Sequence, residues 1–456
     1  MTMTEKKHAI KPYPLGAHVE DGAIRFAYAS GKKDCGIIIY DRKSGKKTHR
    51  VPFRQEERMG NVYCKYLELE PENVGYQFYE GERTVPDLHA QGFLRKPAYG
   101  KIRKPADRIA VFPNEDFDWE QDMHPMLPYE DSTCYCLHVR GFTMHASSQV
   151  THRGTFAGVV EKLDYLQEIG VTTVEFQPVY EFDETPEKTV PKTSGELAAV
   201  AGEKNGEGKL PGYRVLNYWG YREGFYYAPK AAYAAGEDPA EEFRLMVKEF
   251  HKRKMEVILQ FYFPQGMDAA EIGNILRFWV LSYHVDGFHL MGEGVPAQML
   301  AGDPALSGTK LWHYSFDTEQ LYDPAVKPEY RNLAEYRDDY LYTMRRFLKG
   351  DDNMLSGVLY EMRHIPANMG RIHYLSNYYG LTLMDMVSYD HKHNEANGEG
   401  NRDGNDYNCS WNCGEEGPSR RKKVQALRKK QLQNACCMLL LTPVSYTHLR
   451  AHETPE

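Results

Sequence analysis

The chain has 456 residues, of which 41% are hydrophobic, and a formal net charge of −8. This length accommodates two or three domains, and the interspersed charges argue against a nucleic-acid-binding protein, which would concentrate positive charge on one face. No apolar run approaches the roughly 20 residues that cross a bilayer, and the polar start carries no secretory signal. The eight scattered cysteines lack zinc-site spacing and fit reduced thiols, so we expect a cytoplasmic protein without a membrane partner.

Short alternating strands are predicted between residues 15 and 99. Examples are Ala23–Tyr28 and Gly36–Tyr40, and turn signals such as Lys43–Gly45 separate them. This spacing is typical of a small β-sandwich. A charged, proline-bearing connector follows over residues 101–131.

After Ser132, predicted strands alternate with predicted helices. The strands are Cys134–Val139, Val171–Phe176, Glu256–Phe263, Val285–Leu290, Lys310–Tyr314, Ile372–Ser376 and Ala435–Leu441. The helices are Phe156–Ile169, Glu241–Lys254, Ala270–Ser282, Asp338–Leu348 and Lys422–Asn434. Repeated strand–helix units predict an α/β fold, a (β/α)8 TIM barrel preceded by the β-sandwich. Long loops at Lys192–Pro211 and Asn394–Gly417 follow strands, where such barrels build their sites.

The sequence at the end of the chain is unlike that of the rest. The segment from Pro443 to Thr454 resembles translated sequencing-adapter read-through. We therefore predict a β-sandwich over residues 1–125, a truncated barrel domain over residues 126–442 and a non-native tail over residues 443–456. The native sequence after Thr442 is expected to differ.

Three motifs carry a resemblance to a known family. They are Tyr135–Thr143, the aromatic loop Asn217–Tyr221 and the block Ser388–Pro418. Together they resemble the isoamylase and glycogen-debranching branch of glycoside hydrolase family 13, the α-amylase superfamily. Pro14–Ala17 opens a domain similar to the family-48 carbohydrate-binding module that precedes such barrels.

The resemblance implies a retaining glycosidase mechanism. That chemistry needs a carboxylate nucleophile and a carboxylic acid about 5–5.5 Å apart. The family adds a second aspartate that holds sugar hydroxyls, with an arginine and two histidines that orient these groups.

The three carboxylate positions of the family are occupied here by other residues. Met291 stands at the nucleophile position, Tyr314 at the acid position and Tyr379 at the third aspartate. A thioether cannot form the glycosyl ester, and a phenol with a pKa near 10 is poorly matched to protonating a leaving group. No catalytic residue is therefore assigned.

The positions that support these carboxylates in the family also carry other residues here, although the sequences that flank them still align with the family. His289 replaces the arginine, Tyr378 replaces a histidine, and Gln260 opens the early Asp-x-x-x-Asn-His motif. The flanks Val285–Phe288 and Gly380–Leu383 still match the family. Loss at four separated motifs with intact flanks indicates a coordinated loss of the site.

Other polar residues near these motifs could act as substitute catalytic groups or metal ligands, but each is interpreted as an ordinary loop residue. Glu293, Asp317, Glu319 and His313 are candidate substitutes, but ordinary solvated loop charges are the favoured interpretation. The group of His391, His393 and Glu395 suggests a metal, yet its place in the debranching-type loop favours a structural or glucan-contact role. We predict no metal and no cofactor.

Aromatic and polar side chains are the predicted glucan contacts. The chain has 33 tyrosines, which suit sugar stacking, although a compositional bias explains the number equally well. The predicted substrate-binding residues are Tyr218, Trp219, Tyr221, His289, Trp312, His313, Tyr378 and Asn394.

These observations favour a catalytically inactive protein associated with glycogen or starch-like α-glucan. One alternative is an active hydrolase of α-1,6 branch linkages. The other is a structural or regulatory partner of glycogen enzymes with a filled cleft. The expected partners are branched α-glucan and a glycogen-metabolising protein, with no nucleic acid.

Overall fold

The computed structural model describes residues 4–6, 9–95, 97–114, 116–186, 216–323, 328–364, 366–397, 400–442 and 447–450. The chain divides into two compact units. The first comprises residues 1–118 and 179–243, and the second comprises residues 119–178 and 244–456. The predicted loop Lys192–Pro211 lies outside the described residues.

The first unit contains two antiparallel sheets that share one core. One sheet has the order β1-β7-β3-β2 with β6 on β7, and the other has the order β10-β8-β4-β5 with β9 on β8. The strands are β1 Thr4–Lys6, β2 Gly16–Glu20, β3 Ala23–Ala29, β4 Cys35–Asp41, β5 Lys47–Pro52, β6 Arg58–Met59, β7 Val62–Glu68, β8 Val74–Glu80, β9 Arg83–Val85 and β10 Ala110–Val111. Phe26 of one sheet packs edge-on against Tyr76 of the other at 5.3 Å. The predicted β-sandwich is confirmed.

The second unit is a closed barrel of eight parallel strands. They are β11 Thr133–Leu137, β12 Thr173–Phe176, β15 Glu256–Tyr262, β16 Gly287–Met291, β17 Lys310–His313, β18 Leu333–Tyr336, β19 Gly370–Tyr374 and β20 Thr447–Arg450. The hairpin of β13 Tyr180–Phe182 and β14 Gly224–Pro229 belongs to the first unit. The predicted (β/α)8 architecture is confirmed.

The described helices largely follow the prediction. They are Val139–Thr143, Phe156–Val160, Leu163–Glu168, Pro239–Lys252, Ala269–Tyr283, Ala297–Ala301, Asp339–Lys349, Leu355–Arg363, Leu383–Met386 and Lys422–Leu441. The predicted helix Phe156–Ile169 is divided in two, because Lys162 leaves helical geometry at ψ 4°. No helix in the described ranges combines the length and the apolarity that a bilayer crossing requires.

Two strand assignments differ from the prediction. Ala435–Leu441 is wrong as a strand, because it ends the helix that begins at Lys422. Ala435 and Leu439 are one helical turn apart and pack on Tyr340, and a short apolar run does not itself distinguish helix from strand. The short strand Leu333–Tyr336 was not predicted, and Thr447–Arg450 provides the eighth strand.

Gly287, at the start of β16, is a position where the neighbouring strand leaves no room for a side chain. A Cβ there would lie 2.5 Å from the carbonyl oxygen of Lys310 on the neighbouring strand. Glycine at the start of β16 therefore lets β16 and β17 approach closely enough to pair.

His373 is a fully buried polar residue on β19. Its ring stacks on Tyr340 with a centroid distance of 4.2 Å, and neither ring nitrogen has a hydrogen-bond partner among the described residues. Burial, followed by the charge of Arg371, lowers the pKa of His373 to about 3. The folded protein therefore holds this imidazole neutral.

We predict that replacing His373 by Phe removes an acid sensitivity of the fold. The unfolded chain protonates this histidine below its ordinary pKa, so stability falls as the pH drops from 6.5 towards 3. At pH 5 this cost is about 2 kcal/mol, which His373→Phe avoids. Urea unfolding at pH 7.5 and pH 5 measures it, with exposed His145→Ala as the control. If the difference in unfolding free energy between His373→Phe and the wild type is the same at both pH values, the prediction is wrong.

Candidate functional site

The three residues that the motifs predict at the carboxylate positions of the family lie at the carboxyl ends of barrel strands. Met291 is the last residue of β16, Tyr314 follows β17 by one residue, and Tyr379 follows β19 by five. Met291 is only 8% exposed, whereas Tyr314 is 63% and Tyr379 is 44% exposed. The carboxyl ends of parallel strands form one face of a barrel, so these side chains belong to the face where such folds carry their sites.

Below these positions lies a buried carboxylate that is hydrogen-bonded by neighbouring strands. Glu175 on β12 is fully buried, and its Oε1 accepts from Gln260 Nε2 at 2.7 Å and pairs with His289 Nδ1 at 2.6 Å. Cys136 Sγ lies 3.6 Å from the same Gln260 nitrogen. Gln260 and His289 thus both hydrogen-bond with the same buried carboxylate inside the barrel.

Aromatic rings fill the barrel interior beside this polar cluster. His289 stacks on Tyr336 at 4.1 Å, and Tyr336 stacks on Tyr374 at 4.5 Å. Trp312 is fully buried in the same core, and Tyr378 meets His289 edge-on at 5.8 Å. We call His289, Trp312, Tyr336, Tyr374 and Tyr378 the aromatic column. It occupies the space directly behind the carboxyl ends of the strands.

A half-buried carboxylate, Asp338, follows β18 and binds three side chains at the end of β19 and in the segment after it. It accepts hydrogen bonds from Tyr374 Oη at 2.8 Å, from Asn377 Nδ2 at 3.3 Å and from Tyr379 Oη. Burial, and then the hydrogen bond to Asp338, raises the pKa of Tyr379. The phenol of Tyr379 is therefore held protonated and positioned by a carboxylate.

Asp338 and Glu175 were not singled out from the sequence. The sequence predicts Asp338 at the start of a helix and does not predict the strand Leu333–Tyr336 that ends just before it. Glu175 was read as part of a strand. One signal was present: a glutamate between Val174 and Phe176 in a buried run needs a partner.

Four tyrosines lie at the same end of the barrel, of which Tyr342 is half-buried and the others are exposed. Arg337 lies 5.2 Å above the ring of Tyr314, and Tyr342 is 5.8 Å from the 60%-exposed Tyr407. Asn405 donates to Tyr342 Oη at 2.7 Å and ties the two segments together. We call Tyr314, Tyr342, Tyr379 and Tyr407 the aromatic rim.

The predicted glucan contacts are divided between the two units. His289, Trp312, His313, Tyr378 and Asn394 lie in the barrel unit, whereas Tyr218, Trp219 and Tyr221 lie in the sandwich unit. In that loop Gly220 has φ +84°, and a Cβ there would lie 2.5 Å from Phe182, so the turn requires glycine. Trp219 is 41% exposed.

Within the barrel unit these residues occupy different environments. Trp312 is core, and His313 is half-buried with Nδ1 3.0 Å from the Ser315 carbonyl oxygen. Burial lowers the pKa of His313, although that backbone contact acts in the opposite direction. Asn394 donates to the Asp403 carbonyl at 3.2 Å and supports its own loop. Of these residues, Tyr378 lies beside the rim, against Tyr379 at 4.9 Å.

The candidate substitute acids are solvent-exposed. Glu293, Asp317 and Glu319 all lie on the surface. Asp317 Oδ2 accepts a hydrogen bond from Gln320 on its own turn. Their exposure agrees with ordinary loop charges.

The histidine-rich loop is organised around a carboxylate. Glu416 accepts from the backbone N–H of Asp390 at 2.8 Å and pairs with His393 Nε2 at 3.1 Å. Burial is outweighed by these hydrogen bonds, and the pKa of Glu416 falls to about 2. Among the described residues, the one group whose ligand atoms converge enough for a metal is instead His124, His251 and Asp286.

The chain is similar to isoamylases and to glycogen-operon proteins. The chloroplastic isoamylase 1 of Oryza sativa subsp. japonica is 28% identical over 94% of this chain and 65% of its own length. The glycogen operon protein GlgX homolog of Mycobacterium tuberculosis is 28% identical over 94% of this chain and 71% of its own length. No family model matches the chain.

Solved pullulanases share the fold. The pullulanase SAP of Group B Streptococcus superposes with a TM-score of 0.65 at 18% identity, covering 96% of this chain and 63% of that one. The pullulanase of Anoxybacillus sp. LM18-11 superposes with a TM-score of 0.67 at 15% identity, over 97% and 66%. This chain spans about two thirds of the length of these pullulanases and of the rice isoamylase.

We predict that the Glu175–His289 pair supports the barrel interior as a unit. His289→Leu removes the hydrogen-bond partner that lies 2.6 Å from the buried Glu175 carboxylate, which costs about 3–5 kcal/mol of unfolding free energy. The double variant Glu175→Leu/His289→Leu is expected to lose less unfolding free energy than the two single variants lose in total. Urea denaturation measures the cycle, and exposed Tyr314→Ala is the control. Additive losses contradict this account.

Proposed function

The chain is a homologue of isoamylase and glycogen-debranching proteins of glycoside hydrolase family 13, and from that premise we propose that it binds branched α-glucan without cleaving it. The observation that carries the proposal is that Met291, Tyr314 and Tyr379 stand where the motifs predict the three carboxylates. A retaining glycosidase needs an anionic oxygen to attack the anomeric carbon and a nearby acid to protonate the leaving oxygen. None of these three side chains supplies a carboxylate.

The environments of these residues agree with the proposal. Met291 is buried, and burial raises the pKa of Tyr379 above that of a free phenol. Neither side chain provides an anion at neutral pH. The exposed acids Glu293 and Asp317 have no charged partner among the described residues that would hold them as a positioned pair, and catalytic carboxylates need such positioning.

The aromatic rim supports glucan binding. Tyr314, Tyr379 and Tyr407 expose ring surface around one end of the barrel, and tyrosine packs its ring on sugar C–H groups while its hydroxyl remains hydrated. Asp338 and Asn405 add polar groups beside these rings, and sugar hydroxyls can hydrogen-bond to them. The ligand class follows from the relatives, and glycogen or a starch-like glucan is the proposed partner.

A filled cleft is the second candidate function. The aromatic column favours it, because His289, Tyr336 and Tyr374 occupy the barrel interior behind the strand ends. In that case the protein acts as a structural or regulatory partner of glycogen enzymes, and glucan binding at the rim is absent. The proposed location is the cytoplasm, where eight cysteines kept as reduced thiols are usual.

We predict no cleavage by the wild-type protein or by Met291→Asp. The single carboxylate restores a nucleophile position, but position 314 still lacks an acid that protonates the leaving oxygen. Reducing-end release from glycogen and pullulan measures this, with a circular-dichroism melt to confirm folding. Enzyme-dependent release by the wild type contradicts the proposal, and turnover by Met291→Asp shows that the motif positions are misassigned.

We predict that Tyr379→Ala weakens binding to a branched maltodextrin by roughly 2–10-fold, the loss of one ring contact. Tyr379→Phe keeps the ring and is expected to retain most of the affinity. Tyr360→Ala removes a similarly exposed tyrosine from the helix Leu355–Arg363 and serves as the control. Isothermal titration calorimetry measures all four proteins. Equal affinities for wild type and Tyr379→Ala exclude the rim, and no binding by the wild type favours the filled cleft.

A further inference from the structure

A hydrogen-bonded chain of histidines and aspartates lies at the amino-terminal end of the barrel strands. Asp286 immediately precedes β16, and its two oxygens lie 2.9 Å from His124 Nδ1 and 3.0 Å from His251 Nε2. His251 Nδ1 in turn lies 2.8 Å from Asp122, and Asp122 lies 2.8 Å from His284 Nδ1. All five residues belong to the barrel unit. None of them takes part in the site described above.

Counting protons shows that this network needs a positive charge. Both nitrogens of His251 face carboxylate oxygens, but a neutral imidazole carries a single N–H. Asp122, His251 and Asp286 have side chains no more than 3% exposed, and buried carboxylates need compensating charge. Either a second proton on His251 or a cation between His251 and Asp286 satisfies the arrangement.

The donor set matches a transition-metal ion. His124, His251 and Asp286 each offer one ligand atom, and these atoms lie within 4.8 Å of one another. Two imidazole nitrogens and one carboxylate oxygen are ligands that Zn²⁺ takes with tetrahedral geometry. Asp122 accepts at His251 Nδ1, which orients Nε2 towards Asp286, as outer carboxylates do for metal-binding histidines.

The surroundings provide access and room for a fourth ligand. The side chain of His124 is 38% exposed, whereas His251 and Asp286 are buried behind it. A cavity of about 520 Å³ opens beside them, and its lining includes Trp119, Asp122, His124 and His251. A water molecule entering from this cavity can complete the shell.

We propose that His124, His251 and Asp286 bind a divalent transition-metal ion of the Zn²⁺ class at this end of the barrel. The ion joins the connector that carries His124 to the helix Pro239–Lys252 and to β16. Its role is structural, because the ion fixes residues far apart in sequence and lies at the strand ends opposite those that carry Met291. The inference is independent of the proposed function.

The test uses untagged full-length protein, stripped with a chelator and then equilibrated with Zn²⁺. Elemental analysis after desalting is expected to find about one Zn²⁺ per chain, as three protein ligands and a water complete one tetrahedral shell. The melting temperature is expected to rise with Zn²⁺ concentration, because the ion binds the folded state. His124→Ala is expected to lose the ion and the shift in melting temperature.

His152→Ala is the matched control, since His152 is also an exposed histidine whose Nδ1 lies 2.9 Å from a carboxylate, that of Glu161. It is expected to keep the ion. His124→Asn retains a donor for Asp286 and replaces His124→Ala if the alanine variant does not fold. No bound Zn²⁺ in the wild type, or equal Zn²⁺ in the wild type and the folded His124 variant, overturns the proposal.

Discussion

A carboxylate buried inside a closed barrel must find its hydrogen-bond donors within the barrel. Glu175 is fully buried on β12, and its hydrogen-bond partners include His289 of β16 and Gln260 of β15. Leaving such a group unpaired costs several kcal/mol, so the residues at positions 260 and 289 depend on it. His289 also begins the aromatic column, which continues through Tyr336 to Tyr374. The polar pairing and the ring stacking therefore share one residue.

The packing inside the barrel determines which side chains are available at the carboxyl ends of the strands. Behind Met291 the barrel is filled by rings and by satisfied polar groups. At the surface, Asp338 binds the hydroxyls of Tyr374 and Tyr379 and thereby links the column to the aromatic rim. At this end of the barrel the exposed phenol of Tyr379 is held by the Asp338 carboxylate, and the exposed ring of Tyr314 lies under Arg337. Such a surface suits stacking on a sugar better than attack on its anomeric carbon.

Much of the fold could be predicted from the sequence, because periodicity and turn residues act locally. The sandwich strands and most barrel strands were predicted in this way. Ala435–Leu441 was wrong, because a short apolar run reads alike in a strand and at the end of a helix. Leu333–Tyr336 is only four residues long and has little pattern to detect.

The site was less predictable than the fold. The motifs predict Met291, Tyr314 and Tyr379 at the carboxylate positions from their aligned flanks, and this assignment stays a prediction. The partners of these residues depend on contacts between distant segments: Asp338 and Tyr379 are 41 residues apart, and Glu175 and His289 are 114 apart. Nothing local in the sequence signals those pairings. The sequence predicts a glucan contact at Asn394, whereas in the structure its side chain donates a hydrogen bond within its own loop.

The most direct test of the central claim follows a branched α-glucan by proton NMR in the presence of the protein. Saturation transferred from the protein to the glucan reports binding, and the anomeric signal of the α-1,6 linkages reports cleavage in the same sample. The account predicts saturation transfer with an α-1,6 signal that keeps its intensity over hours. Loss of that signal with time contradicts it, as does the absence of any saturation transfer.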